Sequence, residues 1–279
     1  MTPQRVRGHG ERSQTMKAPM GIFDSGYGGL SVFKKIAREM PWYDYCYFGD
    51  NARAPYGDRA PSEVFEYTKQ AVEWLFTKGN APLVVLACNT ASALALRRLQ
   101  QEWLPEYFPD RRILGVLIPV AEDIAKTARP GDRIGLLATP ATIASGAWRR
   151  ELKKYLPRDC SIIEQACPLL APLIEGGYGN NEATHAILKE YLLPFEKRPV
   201  QSLILGCTHY PFLLSHFRSI FGKNTPLFYS GESVVHALKS YLIRHPEIEC
   251  CLSRDGTKEY YTTGDPAEFR KKAEQLFNI

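Results

Sequence analysis

Two cysteines stand at the ends of short apolar runs and are the residues best placed to do chemistry. Cys88 follows the run 83–87 and Cys207 follows the run 203–206; polar side chains come next in both cases. Such runs are typical of buried parallel strands, and open α/β sheets bind ligands at the carboxyl ends of their strands. A lone free cysteine is more often a small buried hydrophobe, but the repeated arrangement predicts two thiols that face one ligand.

Two thiols on opposite sides of a small ligand suit proton transfer at a stereocentre. One thiolate removes a proton from one face, and the other thiol returns a proton to the opposite face. A thiol with a pKa near 8.5 needs help to ionise, and a helix N-terminus after each strand would favour the thiolate. Asp24, Glu175 and His209 are the candidate proton carriers, although a lone Glu or loop His is often only a solvated or hydrogen-bonding group.

A glycine-rich segment at 24–29 follows a short apolar run at 20–23 and precedes helical spacing from Leu30. Strand, glycine turn and helix together predict a loop that cradles a ligand, because glycines allow close backbone approach and the helix offers free N–H groups. A tight turn with no ligand is the alternative. The segment is neither a Walker loop nor a dinucleotide fingerprint.

Composition narrows the class of protein. The chain has 279 residues, and its 44% apolar and 23% charged content indicates a globular protein with an ample core. The net charge of +5 is concentrated in residues 1–19, so no nucleic-acid partner is expected. No run is long enough to span a membrane, and no membrane partner is expected. The seven cysteines contain no zinc-type pair, which favours a reduced cytoplasmic protein without metal or organic cofactor.

The order of predicted elements indicates an α/β fold with mainly parallel sheets flanked by helices. The spacing from Asp24 to Cys88 resembles that from Thr139 to Cys207, which suggests two pseudo-symmetric lobes with the site between them. We expect a disordered tail at 1–18, a first lobe at 19–112 plus 226–279, and a second lobe at 113–225. A strand is predicted at 113–118, and a helix from Ser62 to about residue 78 with Ser62 as its N-cap.

Five motifs in a fixed order carry a resemblance to a known family. They are D-S-G-x-G-G at 24–29, P-Y-G at 55–57, A-C-N-T-A-S at 87–92, P-L-I-E at 172–175 and G-C-T-H-Y-P at 206–211. In this order and spacing the chain resembles glutamate racemase, of the cofactor-independent Asp/Glu racemase family, from about residue 20 to 230. T-T-G-D at 262–265 also resembles that family.

The resemblance implies interconversion of L- and D-glutamate without a cofactor, supplying D-glutamate for peptidoglycan and hence for cell-wall biogenesis and cell shape. Cys88 would act on the D-isomer with help from Asp24, and Cys207 on the L-isomer with help from His209 and Glu175. The residues that would hold the amino acid are Asp24, Ser25, Pro55, Tyr56, Gly57, Cys88, Asn89, Thr90, Cys207, Thr208 and His209. A homodimer is compatible with the resemblance. Tyr27 replaces a residue that is more often small and aliphatic, which could alter access to the site.

Three alternatives remain open from the sequence. An aspartate-type racemase would use the same two thiols, but those enzymes tend to have Glu after the second Cys-Thr, where this chain has His209. A two-lobed amino-acid binding protein without turnover would not need paired cysteines. A cysteine hydrolase would leave one of the two thiols idle.

Overall fold

The computed structural model describes residues 4–6, 17–179 and 181–277. In chain order its strands are β1 (Gln4–Val6), β2 (Met20–Asp24), β3 (Tyr45–Gly49), β4 (Leu83–Leu86), β5 (Arg112–Gly115), β6 (Arg133–Ala138), β7 (Ser161–Ala166), β8 (Ser202–Gly206), β9 (Leu227–Tyr229) and β10 (Lys258–Thr262). They form two separate sheets, as the α/β prediction requires.

The α-helices are α1 (Leu30–Glu39), α2 (Pro61–Thr77), α3 (Asn89–Leu94), α4 (Leu96–Arg98), α5 (Leu104–Tyr107), α6 (Leu117–Ala125), α7 (Pro140–Ala144), α8 (Ala147–Tyr155), α9 (Leu170–Glu175), α10 (Glu182–Lys197), α11 (Leu214–Phe221), α12 (Ser230–Arg244), α13 (Pro246–Glu249) and α14 (Pro266–Phe277). Short 3-10 turns lie at Asn51–Arg53, Tyr56–Asp58 and Tyr210–Leu213, and a π-helical turn at Leu99–Trp103. Among the described helices none is both long and apolar enough to cross a membrane.

The first sheet has the strand order β1-β10-β3-β2-β4-β5. All its pairings are parallel except that of β1 with β10. Strands β2, β3 and β4 are buried along their whole length. Helices cover both faces of a sheet built from parallel crossovers, so these strands are apolar throughout rather than alternating. The carboxyl ends of β2 and β4, which carry Asp24 and lead to Cys88, therefore meet at one edge.

The second sheet has the order β7-β6-β8-β9, and every pair in it is parallel. Its central strand β8 is fully buried and leads directly to Cys207. The core is continuous between the lobes: Val85 of the first sheet and Ile134 of the second belong to one buried cluster, which also includes Val120 of α6 and Val234 of α12. The two sheets are thus held by a shared core rather than by a loose linker.

Sheet membership differs slightly from the predicted lobe boundaries. β5 pairs with β4 of the first sheet, although the boundary was placed at 112/113, and β9 pairs with β8 of the second, although residues from 226 were assigned to the first lobe. After α12 the chain returns to the first sheet, where β10 lies between β1 and β3. Judged by sheet membership, the chain passes from the first lobe to the second near residue 116 and returns near residue 230.

Two local predictions need correction. β5 ends at Gly115 and α6 begins at Leu117, because the apolar run continues with helical spacing and buries Val120 and Ile124. Helix α2 begins at Pro61, so Ser62 is not its cap. A proline at the first helical position loses no hydrogen bond, and the Glu63 carboxylate accepts one from the Ala60 N–H at 3.2 Å.

The predicted disordered tail at 1–18 lies mostly outside the described residues. Within it, Gln4–Val6 pairs antiparallel with β10, and Ala18 forms a parallel bridge with Leu252. These two short pieces have defined backbone pairing, because β10 and the turn before it offer free strand edges.

Candidate active site

Cys88 lies at the junction between β4 and α3 and is the N-cap of that helix. Its Sγ accepts a hydrogen bond from the Ala91 N–H at 3.4 Å and lies 3.3 Å from Ser25 Oγ. Burial raises the pKa of the Cys88 thiol to about 12, and the charge of Asp24 adds to the rise, while the bonds from Ser25 and Ala91 act in the opposite direction. The helix N-terminus favours the thiolate as predicted, through the Ala91 N–H, but burial has the larger and opposite effect.

Asp24 ends β2 and is fully buried. Its Oδ1 accepts a hydrogen bond from the Gly26 N–H at 2.9 Å. Burial raises the pKa of the Asp24 carboxyl to about 6, against the opposing effect of His209. A carboxyl with a pKa in this range can exchange a proton near neutral pH, which is what a general acid or base requires.

Cys207 is supported by a different set of groups. Its Sγ lies 3.5 Å from Nδ1 of His209, and Nε2 of His209 lies 2.8 Å from Oε1 of Glu175. Burial opposes the charged imidazole, but the hydrogen bonds and charges of Cys207 and Glu175 raise the pKa of His209 well above its usual value. Burial likewise opposes ionisation of Glu175, yet the bond to His209 keeps its pKa below the usual value. The geometry is that of a thiol, an imidazole and a carboxylate in series.

Cys88 is the N-cap of α3, but no α-helix begins directly after Cys207. A 3-10 turn begins at Tyr210, and α11 begins only at Leu214. The expectation of a helix N-terminus after each cysteine is thus correct for Cys88 and wrong for Cys207, where His209 stands in its place.

Both thiols line one cavity between the lobes, which encloses about 100 Å³. The predicted site residues that line it are Ser25, Pro55, Tyr56, Gly57, Cys88, Asn89, Thr90, Glu175, Cys207, Thr208 and His209. Of the predicted site residues, Asp24 alone does not line it, and its side chain is fully buried. Residues without a predicted role that also line it are Ala54, Asp58, Thr139, Pro140, Pro168, Ala171 and Pro172.

Three threonine hydroxyls close one side of this cavity across the lobes. Thr139 Oγ1 lies 3.0 Å from Thr90 Oγ1 and donates to Thr142 Oγ1 at 2.9 Å; Thr142 in turn donates to Thr90 at 3.1 Å. The Thr-Pro-Ala-Thr segment after β6 occupies the place that the glycine turn occupies after β2. That internal similarity was the signal in the sequence that could have assigned Thr139 to the site.

The glycine turn brings the second lobe close rather than cradling a ligand. A Cβ on Gly28 would lie 2.3 Å from Thr208 Oγ1 and 2.5 Å from His209 Cε1, so only glycine fits there. Ser31 Oγ also donates to the Thr208 carbonyl at 2.9 Å. Of the turn, only Ser25 reaches the cavity, and the predicted ligand cradle is corrected to a contact between lobes.

Tyr27 points away from the cavity. Its ring stacks on Phe269 of α14 with centroids 5.5 Å apart, and Lys272 Nζ lies 5.0 Å from the ring centroid. Tyr27 does not line the cavity, so it does not directly affect access to the site as expected.

Ser230, to which the sequence assigned no role, contacts the site from the start of α12. Asn89 donates from Nδ2 to Ser230 Oγ at 3.3 Å. This bond fixes the amide of Asn89, whose side chain lines the cavity next to Cys88.

The arrangement can carry out two-sided proton transfer on a small ligand. One thiol comes from each lobe; the charge of Asp24 acts on Cys88, and His209 contacts Cys207. Among the residues that the structure describes, no group of three or more His, Cys, Asp or Glu is placed to hold a metal ion.

Comparison with known proteins gives concordant results. The family model described as Asp/Glu/Hydantoin racemase matches residues 28–238. Glutamate racemase of Cereibacter sphaeroides is 38% identical over 271 residues, which cover 92% of this chain and 96% of that protein. The crystal structure of a glutamate racemase isoform from Bacillus anthracis superposes with a TM-score of 0.83 at 32% identity, covering 94% of both chains. That of glutamate racemase from Francisella tularensis in complex with D-glutamate also gives 0.83, at 28% identity and 95% of both chains.

Proposed function

Since this chain belongs to the Asp/Glu/hydantoin racemase family, we propose that it is a glutamate racemase that uses Cys207 and Cys88 as its two bases. The observation that carries the mechanism is that the two thiols line one small cavity from opposite lobes. Each would serve one face of the Cα stereocentre, so neither has to reach both faces.

For L-glutamate, the Cys207 thiolate takes the α-proton while the Cys88 thiol gives its proton to the opposite face of Cα. The S–H bond of Cys88 breaks, a new S–H bond forms on Cys207, and the product is D-glutamate. The reverse reaction exchanges the two roles. His209, held by Glu175, would return or remove the proton of Cys207, and Asp24 would do so for Cys88.

Burial of the thiols bears on this chemistry in a specific way. A general base works best when its pKa lies near the operating pH, and burial instead raises the pKa of Cys88 to about 12. Cys88 therefore needs a neighbouring group, which we assign as Asp24, to take up its proton. Thr90, Asn89 and Thr208 line the cavity, and their hydroxyl and amide groups would bind the carboxylate and ammonium groups of the substrate.

We assign the physiological role by the resemblance of the five motifs: supply of D-glutamate for peptidoglycan in the cytoplasm, with a homodimer as the expected assembly. Sizing by light scattering tests the assembly, and depletion of the gene product tests the role, because cells without D-glutamate should lose wall integrity and shape unless D-glutamate is added.

Isotope incorporation tests the two-base mechanism. With L-glutamate in deuterated water, Cys88 exchanges with solvent before it delivers its proton, so early D-glutamate should carry deuterium at Cα. Recovered L-glutamate should remain protiated. Equal deuterium in product and recovered substrate at early times would instead indicate a single base.

Substitution separates turnover from binding alone. Cys88→Ala and Cys207→Ala should each lower racemisation by about three or more orders of magnitude, because residues that act as a unit fail together. Cys160→Ala, at a half-buried thiol outside the cavity, is the matched control and should retain activity. Binding of glutamate by the wild type without any racemisation would support the binding-protein alternative.

A further inference from the structure

Cys250 and Cys251 form an exposed pair of adjacent thiols outside the cavity. They follow α13, and the thiols of both donate to one acceptor, the carbonyl of Glu247, at 3.4 and 3.2 Å. Consecutive side chains on a helical turn normally point about 100° apart and do not face each other. Here the shared acceptor brings the two sulfur atoms to the same side, each within 3.4 Å of one carbonyl oxygen.

The surroundings of Cys251 favour its thiol form. Burial, followed by the hydrogen bond and charge of Cys250, raises the pKa of Cys251, while the nearby Arg111 acts in the opposite direction. A ligand that binds both sulfurs must therefore displace two protons.

The number of protein ligands at this turn restricts what can bind. Within residues 17–179 and 181–277, no third His, Cys, Asp or Glu joins the two thiols in a metal-binding group. Structural zinc requires four protein ligands and is disfavoured here. A species that needs two thiolates and brings its own third substituent fits the pair.

We propose that Cys250 and Cys251 form a chelating site for monosubstituted trivalent arsenicals, a class of thiophilic ligand. In the reaction R–As=O + 2 RSH → R–As(SR)2 + H2O, two S–H bonds break and two As–S bonds form. The two protons leave on the oxide oxygen as water. Arsenic stays trivalent and no sulfur is oxidised, so no other reactant is needed.

The site belongs to the turn that anchors the start of β2. The Cys251 carbonyl accepts from the Ala18 N–H at 3.0 Å, and the Ser253 N–H donates to the Ala18 carbonyl at 3.0 Å. Neither cysteine touches the cavity between the lobes. Chelation should therefore leave racemisation unchanged while it holds this turn more rigidly.

The test uses the full-length protein and phenylarsine oxide, followed by digestion and mass spectrometry. We expect one phenylarsenic group that bridges the peptide containing both cysteines and that a dithiol, but not a monothiol, removes. Cys250→Ser and Cys251→Ser should each weaken retention about 100-fold, because the second As–S bond is then lost. Cys160→Ser should retain the adduct, and Zn²⁺ should not protect the pair from a thiol reagent.

Two results would overturn the proposal. One is the absence of the adduct from this peptide in wild-type protein. The other is an equally retained adduct in the two serine variants, which would place the arsenical on other thiols such as Cys88 and Cys207. Circular dichroism and the unmodified racemase activity of each variant show that it is folded, so that loss of the adduct reports on the dithiol alone.

Discussion

Replacement of Glu175 by Gln tests the proton path behind Cys207. Glu175 is 2.8 Å from His209 Nε2, and its side chain is 22% exposed. Gln keeps the size and the hydrogen-bonding oxygen but removes the charge that favours the imidazolium. We expect the pKa of His209 to fall in Glu175→Gln and the fraction of the imidazolium to fall with it.

The size of the effect follows from the contact. A hydrogen bond between charged groups contributes about 1.5–3 kcal/mol, which is about one to two pKa units at His209. The same free energy corresponds to a loss of roughly 10- to 100-fold in kcat/KM. Racemisation should be slower in both directions, because Cys207 accepts the α-proton of L-glutamate and donates the proton that turns D-glutamate into L-glutamate.

The assay is circular dichroism of D- to L-glutamate conversion as a function of pH. In this direction His209 must return a proton to Cys207, so activity falls when the imidazolium deprotonates. The alkaline limb of kcat/KM should move to lower pH by about one to two units in the variant. Glu232→Gln is the matched control: Glu232 forms an exposed ion pair with Lys35 at 3.2 Å, and its loss should change little. An unmoved limb with activity within about twofold of wild type would refute the role of Glu175.

The pH dependence of protein stability should follow from the pKa shifts of His209 and Glu175. The pKa of His209 is raised on folding, so its contribution is fully present below the usual imidazole pKa and is lost as pH rises through the folded value. The pKa of Glu175 is lowered, so its contribution is present above the usual carboxyl pKa. Glu175→Gln should therefore lower Tm most between about pH 4.5 and pH 6.5, and less at alkaline pH.

The sequence predicted the parts of the fold that depend on short-range pattern. The runs before Cys88 and Cys207 are buried strands as expected, because a short continuous apolar run bounded by polar residues is typical of a buried parallel strand in an α/β protein. The run 113–118 was misread because its length suits a strand and its spacing also suits the first turn of a helix. Pro119 did not distinguish a strand from a helix, since proline is tolerated early in a helix.

Contacts between distant segments could not be predicted from periodicity. β10 was not placed between β1 and β3 by its sequence, since parallel pairing leaves no short turn to read. Only the resemblance paired Glu175 with His209, and the sequence did not predict the threonine contacts of Thr139 across the lobes. The contacts of Thr139 depend on how the two sheets face each other, which the shared core determines.

The two cysteines also turned out less alike than their motifs. Each cysteine follows a buried strand and is followed by polar residues, and this similarity led us to expect a helix N-terminus behind both. Cys88 has that helix and a buried carboxyl, whereas Cys207 has His209. The side chains beside the thiols, Asp24 near Cys88 and His209 near Cys207, differ in a way that the shared backbone pattern does not show.

Three further predictions concern substrate, packing and acid dependence. D-glutamate should be converted with kcat/KM at least about 100-fold above D-aspartate, because the shorter chain leaves polar groups of the cavity unpaired; comparable values would support the aspartate-type alternative. Gly28→Ala should lower stability by about 1–3 kcal/mol in urea unfolding, since its Cβ would lie 2.5 Å from His209, whereas Gly179→Ala, with its nearest neighbour at 3.7 Å, should not. The last prediction rests on the pKa of about 6 for Asp24, which burial raises. Only the ionised carboxylate can take the proton of Cys88, so kcat/KM for D-glutamate should fall below about pH 6 in wild type, and Asp24→Asn should be slow and lack this limb. Because the folded pKa lies above the usual carboxyl value, the wild type should also lose up to about 3 kcal/mol of stability as pH rises from about 4 to about 6, and the variant should not. A limb near pH 6 that persists in Asp24→Asn would assign it to another group.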